Sequence, residues 1–396
     1  MRSNNKTLHF AAINVAYFAA YSSAHAYAAV FLLDRGFSNT AIGLILALAN
    51  VLSVILQPVT AGLIDKYEAF TNRRVSMFCA LACALCCSCL YFLKAIPVIF
   101  VVYVVLYMLQ MLYQPLIQAM NFEYIAKGAK INFGLARGLG SCGFAVTSLI
   151  IGKLLVKNGV SVLQIVNVLM FLFGALMLLL FLAPKGEENE KPKQAEISED
   201  IKMHNSIIEF IKCYPMFMLF VLGGTFLFFA HNALNDYLIQ IITPLGGDEA
   251  IMGQMVMVAA LLELPAMASF AFAQKKVGLK TLLYVSGIMF SVKTILMLVA
   301  TNVFVAYLSQ MCQMFAYALF IPGGAYLAEK VMSKSDKTKG QAYVNCAITL
   351  GGVFSALVCG RILDVLGVHS MLLVSTVIGL IGTVLLVISI RNMKLD

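Results

Sequence analysis

The chain has 396 residues, 61% of them hydrophobic and only 12% charged, with a formal net charge of +9. A soluble protein would carry about 25% charged residues, so the composition excludes a soluble enzyme or binding domain and points to a polytopic membrane protein. The positive balance does not mark a nucleic-acid partner, because Lys and Arg lie in short loops between apolar runs.

Met1–Leu8 is short and polar, and the first apolar run is long enough to remain as a span, so no signal peptide is expected. Twelve runs are long and apolar enough to cross a bilayer: 8–33, 39–64, 74–94, 96–123, 133–156, 160–183, 214–243, 250–274, 279–300, 302–329, 340–363 and 367–390. One long polar stretch, Pro184–Asn205, interrupts them after the sixth; it is charged, poor in apolar residues, and reads as a linker. The expected organisation is an N-terminal six-helix bundle (1–183), a cytoplasmic linker (184–207) and a C-terminal six-helix bundle (208–396). With the N-terminus inside, most Lys and Arg residues fall on inner loops and tails, which places both termini in the cytoplasm of a cell membrane.

Span one carries Asn14, Tyr17, Tyr21 and His25 at three- and four-residue steps, hence on one helical face. After span two, Asp65, Lys66, Arg73 and Arg74 form a charged loop; Asp65 at a helix end suits a gate that holds a neighbouring helix in one conformation, and ordinary solvated loop charges are the alternative. Cys79, Cys83, Cys86, Cys87 and Cys89 crowd span three without a His or carboxylate beside them, which reads as small-residue helix packing and not as a metal site. Span four shows Gln110, Gln114, Gln118 and Asn121 on one face. Arg137 stands where span five enters the membrane, either snorkelling to the interface or pointing inward to bind substrate or a carboxylate such as Glu123.

Span seven offers His231, Asn232, Asn235, Asp236 and Gln240, and span ten offers Gln310, Gln313 and Tyr317. Unsatisfied polar groups are penalised in lipid, so these stripes are expected to line an aqueous cavity, with interhelical hydrogen bonding as the plainer reading. Glu263 lies near the middle of span eight and Lys293 near the middle of span nine. An ionisable group at that depth costs at least ~2.5–3.5 kcal/mol and normally faces a cavity or a partner. Motion of Lys293 relative to Glu263 would switch the acid between charged and neutral, which makes the pair a candidate for proton coupling. A structural ion pair holding the two spans together is the alternative.

The halves resemble one another. A shift of 210 residues sets Tyr27 on Tyr237, Gly36 on Gly246 and Gly43 on Gly253, and places Ser53 opposite Glu263 and His25 opposite Asn235. The fold class expected is therefore an all-α membrane protein of twelve transmembrane helices in two six-helix parallel repeats.

Several of these pieces resemble a known family. Gly62-Leu63-Ile64-Asp65-Lys66 with Arg73-Arg74 is similar to the cytoplasmic loop motif of the major facilitators. Gln57-Pro58, the Phe-Gly-x-Ala-Arg pattern at 133–137, Glu263-Leu264, Gly287-x-Met289-x-Ser291-Val292-Lys293 and Gln313-Met314-Phe315 resemble the branch of the lactose and phenylpropionate permeases. The resemblance implies the major facilitator fold, Arg137 and Glu263 as substrate ligands, and Lys293 as the group that helps a coupled proton leave. The permease's stacking Trp falls on Phe144. Its helix-ten His and Glu fall on Gln313 and Ala316, and its acidic sugar ligand falls near Gln118 or Ala119.

The function expected is secondary transport of a small organic solute (a sugar, nucleoside or aromatic acid) by proton symport through alternating access. The candidate solute ligands are His25, Tyr21, Gln110, Gln114, Gln118, Asn121, Arg137, Phe144, Asn235, Asp236, Gln313 and Tyr317. A drug–proton antiporter is the runner-up, weakened by the absence of proline from 134–152, and a transporter-like sensor is a third reading. No nucleophile–base pair, phosphate loop or ligand set suggests an enzyme, a cofactor or a metal. The expected partners are the solute, protons and the lipid bilayer, with the protein acting as a monomer.

Overall fold

A computed structural model describes residues 6–183, 207–333 and 336–393. The predicted linker, save its last residue, lies outside the described residues. Contacts divide the chain into two compact units, Met1–Lys191 with Gly247–Ala260, and Pro192–Gly246 with Leu261–Asp396. The sequence boundaries assign all of span eight to the second half, whereas its first part groups with the first unit.

The first unit contains α1 (Thr7–Tyr21), a π-helical turn (Ser22–Ala26), α2 (Ala28–Asp34), α3 (Asn39–Lys66), α4 (Asn72–Phe92), α5 (Ile96–Ala126), α6 (Phe133–Asn158) and α7 (Ser161–Leu180). Helices are the economical solution in lipid because every backbone group is paired within the segment. Their starts are marked locally: Ser38, Thr71 and Asn132 accept hydrogen bonds from the backbone N–H groups of Ala41, Arg74 and Leu135. Here α1 packs on α6 and α7, and α4 packs between α5 and α7. Phe10, Tyr17, Tyr113, Tyr124 and Phe181 fill the core between them.

In the second unit, a short α8 (Ile207–Cys213) precedes α9 (Pro215–Asp236), α10 (Leu238–Ile242) and a 3₁₀ turn (Thr243–Leu245). Then come α11 (Glu249–Val277), which starts in the first unit, α12 (Leu279–Leu298), α13 (Val303–Met311), a 3₁₀ turn (Cys312–Met314), α14 (Tyr317–Val331) and α15 (Lys337–Asn392). Here α9 packs along α15, and α12 lies against α13, α14 and α15. A phenylalanine core holds them, with Phe220 and Phe320 stacked at 5.3 Å.

Among the described residues, ten helices are long and apolar enough to span a membrane, and the pair α1–α2, bent by 48°, makes an eleventh. The last two expected spans form one helix, α15, broken at Gly367 with φ 79° and ψ 179°. Only glycine adopts that backbone without strain, and counting the two arms separately gives the twelve spans expected.

Internal repetition is visible in the fold. Tyr27 stands at the break after the π turn and its hydroxyl donates to the Ser148 carbonyl at 2.7 Å; Tyr237 stands at the break between α9 and α10 and donates to the Ala356 carbonyl at 2.8 Å. Gly36 and Gly246 both turn the chain with positive φ, as do Gly159 and Gly367. A Cβ on Gly140 would lie 2.8 Å from Phe18, and one on Gly351 would lie 2.7 Å from Phe228, so each unit closes one helix pair on a glycine facing a phenylalanine.

Candidate functional site

In the first unit, the π turn places His25 beside α5. A π-helical turn inserts one residue into the helix and re-aims the side chains after it, a feature that recurs at functional sites. Tyr107 Oη and His25 Nε2 are hydrogen-bonded at 2.8 Å, the Tyr21 ring meets the His25 ring edge-on at 4.6 Å, and Phe144 lies 6.1 Å from Tyr21. Next to them, the Arg137 guanidinium lies 4.0 Å from the centre of the Phe18 ring and donates to Ser141 Oγ at 2.8 Å. Glu123, the carboxylate considered for Arg137, instead pairs with Lys127 at 2.8 Å and accepts from Asn72 at 3.2 Å.

The span-four stripe divides. Gln114 and Gln118 are half-buried, whereas Gln110 and Asn121 have no exposed surface and neither amide finds a hydrogen-bond partner among the described residues. Gln110 and Asn121 therefore sit inside the helix packing and do not share an open face with the other two. Helical periodicity gives direction around one axis and says nothing of what a neighbouring helix covers.

The second unit holds a continuous polar chain drawn from four spans. Lys293 on α12 is fully buried, and its Nζ donates to Gln313 Oε1 at 2.5 Å. Gln313 in turn donates through Nε2 to Oε1 of Glu263, a half-buried residue on α11. Its place in the 3₁₀ turn between α13 and α14 lets one amide reach both charges. On the other side, Nζ lies 3.5 Å from Nδ1 of His231 on α9, and the Asn235 side-chain amide lies 2.9 Å from His231 Nε2. Tyr317, at the start of α14, stacks on the His231 ring at 5.3 Å. A buried cation is tolerable only when paired and hydrogen-bonded, and this chain supplies both.

Sequence reasoning brought Glu263 and Lys293 together but treated them as a pair; the structure interposes Gln313. It also gave His231 no role of its own. The available signal was its position four residues before Asn235 on the same face. Among the described residues, no hydrogen bond ties Asp236, half-buried at the end of α9, to Glu263, Gln313, Lys293 or His231.

The loop charges lie elsewhere in the first unit. Asp65 and Lys66 are exposed at the end of α3, Arg73 donates to the Leu179 carbonyl at 3.3 Å, and Arg74 donates to the Ala69 carbonyl at 3.0 Å. A polar cavity there is lined by Glu68, Arg73, Arg74, Glu123 and Lys127. Among the described residues, no group of three His, Cys, Asp or Glu side chains is placed to hold a metal ion, and the α4 cysteines are free thiols.

Comparison with known proteins agrees with this architecture. The model of the MFS_1 like family matches residues 8–374. A curated relative, "Uncharacterized transporter YwbF" of Bacillus subtilis (strain 168), is 21% identical over 353 residues, covering 88% of this chain and 84% of that protein. A crystal structure of a mutant of the nucleoside transporter NupG superposes with a TM-score of 0.80 at 15% identity, covering 98% of this chain and 100% of that one. A POT family transporter in complex with a thioalcohol-conjugated peptide gives a TM-score of 0.70 at 14% identity, covering 96% of this chain and 95% of that one. At such identities the structural likeness carries the fold alone.

Proposed function

The chain belongs to the MFS_1 like family of transporters, and from that premise we propose that it is a proton-coupled secondary transporter of a neutral, ring-bearing polar solute, with nucleosides the class to test first. The observation that carries the coupling is the chain from Glu263 through Gln313 to Lys293, a carboxylate and an ammonium joined by one amide within apolar spans. Loss of the Glu263 charge on proton binding weakens the acceptor that orients Gln313 from a carboxylate to a neutral carboxyl oxygen, so protonation is felt at Lys293 without direct contact.

For the solute, Tyr21, His25 and Phe144 offer ring faces and edges, Gln114 and Gln118 offer neutral amide donors and acceptors, and Arg137 offers a cation. A nucleoside presents a planar base to stack and hydroxyl groups to hydrogen-bond. NupG, similar in fold, is a nucleoside transporter, which favours this class over sugars and aromatic acids as a starting point. Asn235, Asp236, Gln313 and Tyr317 complete the proposed solute ligands, and Asp65, Lys66, Arg73 and Arg74 the proposed gate. Residue pattern supports kinship with the lactose and phenylpropionate permeases. Lys and Arg placement supports a cell membrane location with both termini cytoplasmic, and a monomer working by alternating access between bundles 1–183 and 208–396 suffices.

Uptake into proteoliposomes under an imposed pH gradient tests the reading, with uridine, adenosine, lactose and phenylpropionate as labelled probes. Gradient-dependent accumulation of a nucleoside is expected. Accumulation of lactose or phenylpropionate alone would overturn the nucleoside class. Movement of a probe with no response to the gradient would overturn proton coupling.

A further inference from the structure

His231 is a buried ionisable group of the second unit that the coupling scheme leaves unused. It is 4% exposed, faces the Phe228 and Phe290 rings at 5.6 and 5.7 Å, and stacks on Tyr317 with the two planes 12° apart. These rings fix the plane of the imidazole, so its two nitrogens have fixed partners: Nδ1 lies 3.5 Å from Lys293 Nζ, and Nε2 lies 2.9 Å from the Asn235 amide. The titratable groups around it are Lys293 on α12, Tyr317 on α14 and, through Gln313, Glu263 on α11, with Asp236 further along α9 itself. From α15, Gly351 and Gly352 meet this part of α9 and bring no charge.

Two full positive charges at that separation, away from water, repel strongly. An imidazolium also has no lone pair with which to accept from an ammonium. The contact therefore excludes two charges at once: at most one of the two is the cation, and the other is the acceptor. The Asn235 amide can present its oxygen to Nε2–H, which leaves the Nδ1 lone pair facing Nζ.

We propose that His231 is a second proton-holding residue of this cluster, sharing a single positive charge with Lys293 across the contact between Nδ1 and Nζ. In the transfer a Nζ–H bond breaks and a Nδ1–H bond forms; the lysine becomes an amine, the histidine an imidazolium, and the proton count is unchanged. What changes is the group facing Gln313. An ammonium is a stronger donor to Oε1 than an amine, so the state of His231 reaches Glu263 through the same amide. The purpose of the device rests on the proton-coupled reading; the charge sharing does not, and is measured without transport.

The test is nitrogen NMR of the purified full chain in lipid nanodiscs, with the imidazoles labelled. There are five histidines, and H231Q identifies the relevant signals by their loss. At about pH 6, the wild-type His231 ring is expected to be neutral, with Nε2 protonated and Nδ1 a hydrogen-bonded acceptor. In K293M the same ring is expected to become an imidazolium at that pH, while in K293R it stays neutral. A wild-type ring protonated on Nδ1, or charged beside a charged lysine, would overturn the proposal. So would a K293M ring that remains neutral down to about pH 5, since burial alone would then account for it. Should K293M fail to fold, the wild-type Nδ1 signature and K293R still decide. The expected spectra together with pH-independent uptake would overturn the coupling scheme and leave the shared charge standing.

Discussion

Lys293→Met removes the donor to Gln313 Oε1 and the cation joined to Glu263 through that amide, without changing helix propensity or length much. A hydrogen bond involving a charged group contributes about 1.5–3 kcal/mol, and breaking a fully buried ion pair costs about 3–5 kcal/mol. Lys293 is fully buried, but Glu263 is only half-buried and keeps Gln313 as donor. The lower range applies, about 1.5–3 kcal/mol. Glu263→Gln keeps shape and hydrogen bonding but leaves the buried ammonium without a counter-charge, at a cost of about 1–3 kcal/mol. The double substitution leaves neither charge stranded, so it is expected to cost less than the sum of the singles by about 0.5–3 kcal/mol. Denaturant or thermal unfolding of the purified proteins in one detergent measures all three. Additive single effects would refute the linkage through Gln313. Transport separates coupling from scaffolding: Glu263→Gln is expected to lose pH-driven accumulation while retaining solute exchange, and full accumulation by a well-folded Glu263→Gln protein would sink the coupling role.

Gly351→Val is expected to cost about 1–3 kcal/mol or more, because the added carbons meet the Thr225 carbonyl and the Phe229 N–H as well as Phe228, and backbone cannot rotate away. Gly62→Val, with open space at its Cβ, is the control; equal melting temperatures for the two variants would contradict the packing account. Phe144→Ala is expected to weaken solute binding about two- to tenfold, from the ~0.5–1.5 kcal/mol of an aromatic contact, with little change in unfolding; unchanged affinity by equilibrium binding would remove Phe144 from the site. Asp65→Asn is expected to slow turnover while leaving solute affinity largely intact, because Asp65 is an exposed charge at the end of α3; loss of binding would contradict a gating role.

The spans were legible because a membrane demands long apolar helices, and Glu263 and Lys293 stood out because a charge in such a run is costly. The repeat was legible as well, since Tyr27 and Tyr237 mark equivalent helix breaks and Gly36 and Gly246 equivalent turns. What escaped was contact between spans distant in sequence. Gln313 lies twenty residues from Lys293 and fifty from Glu263, and no periodicity within one helix predicts that a 3₁₀ turn will aim its amide at both. The π turn before Tyr27 was equally hidden, because Ser22–Ala26 has nothing in its composition to distinguish it from α-helix. Burial of Gln110 and Asn121 depends on how α5 is covered by its neighbours, which a stripe of amides on a single helix does not encode.

The repeat also explains why the chemistry is one-sided. Each unit breaks its first span at a tyrosine whose hydroxyl holds a carbonyl of a partner helix, and each closes a helix pair on a glycine facing a phenylalanine. On this shared frame, equivalent positions carry different side chains. His25 of the first unit corresponds to Asn235 of the second, and Ser53, whose hydroxyl donates to the Asn50 carbonyl at 2.8 Å, corresponds to Glu263. A serine satisfied within its own helix needs no partner across the bundle. A carboxylate at the same place does, and the second unit provides one with Gln313, Lys293 and His231 from three other segments. Duplication thus fixes where the helices bend and pack, while a few substitutions on that frame link an acid and a base in one unit and leave His25, rings and neutral amides, with Arg137, in the other.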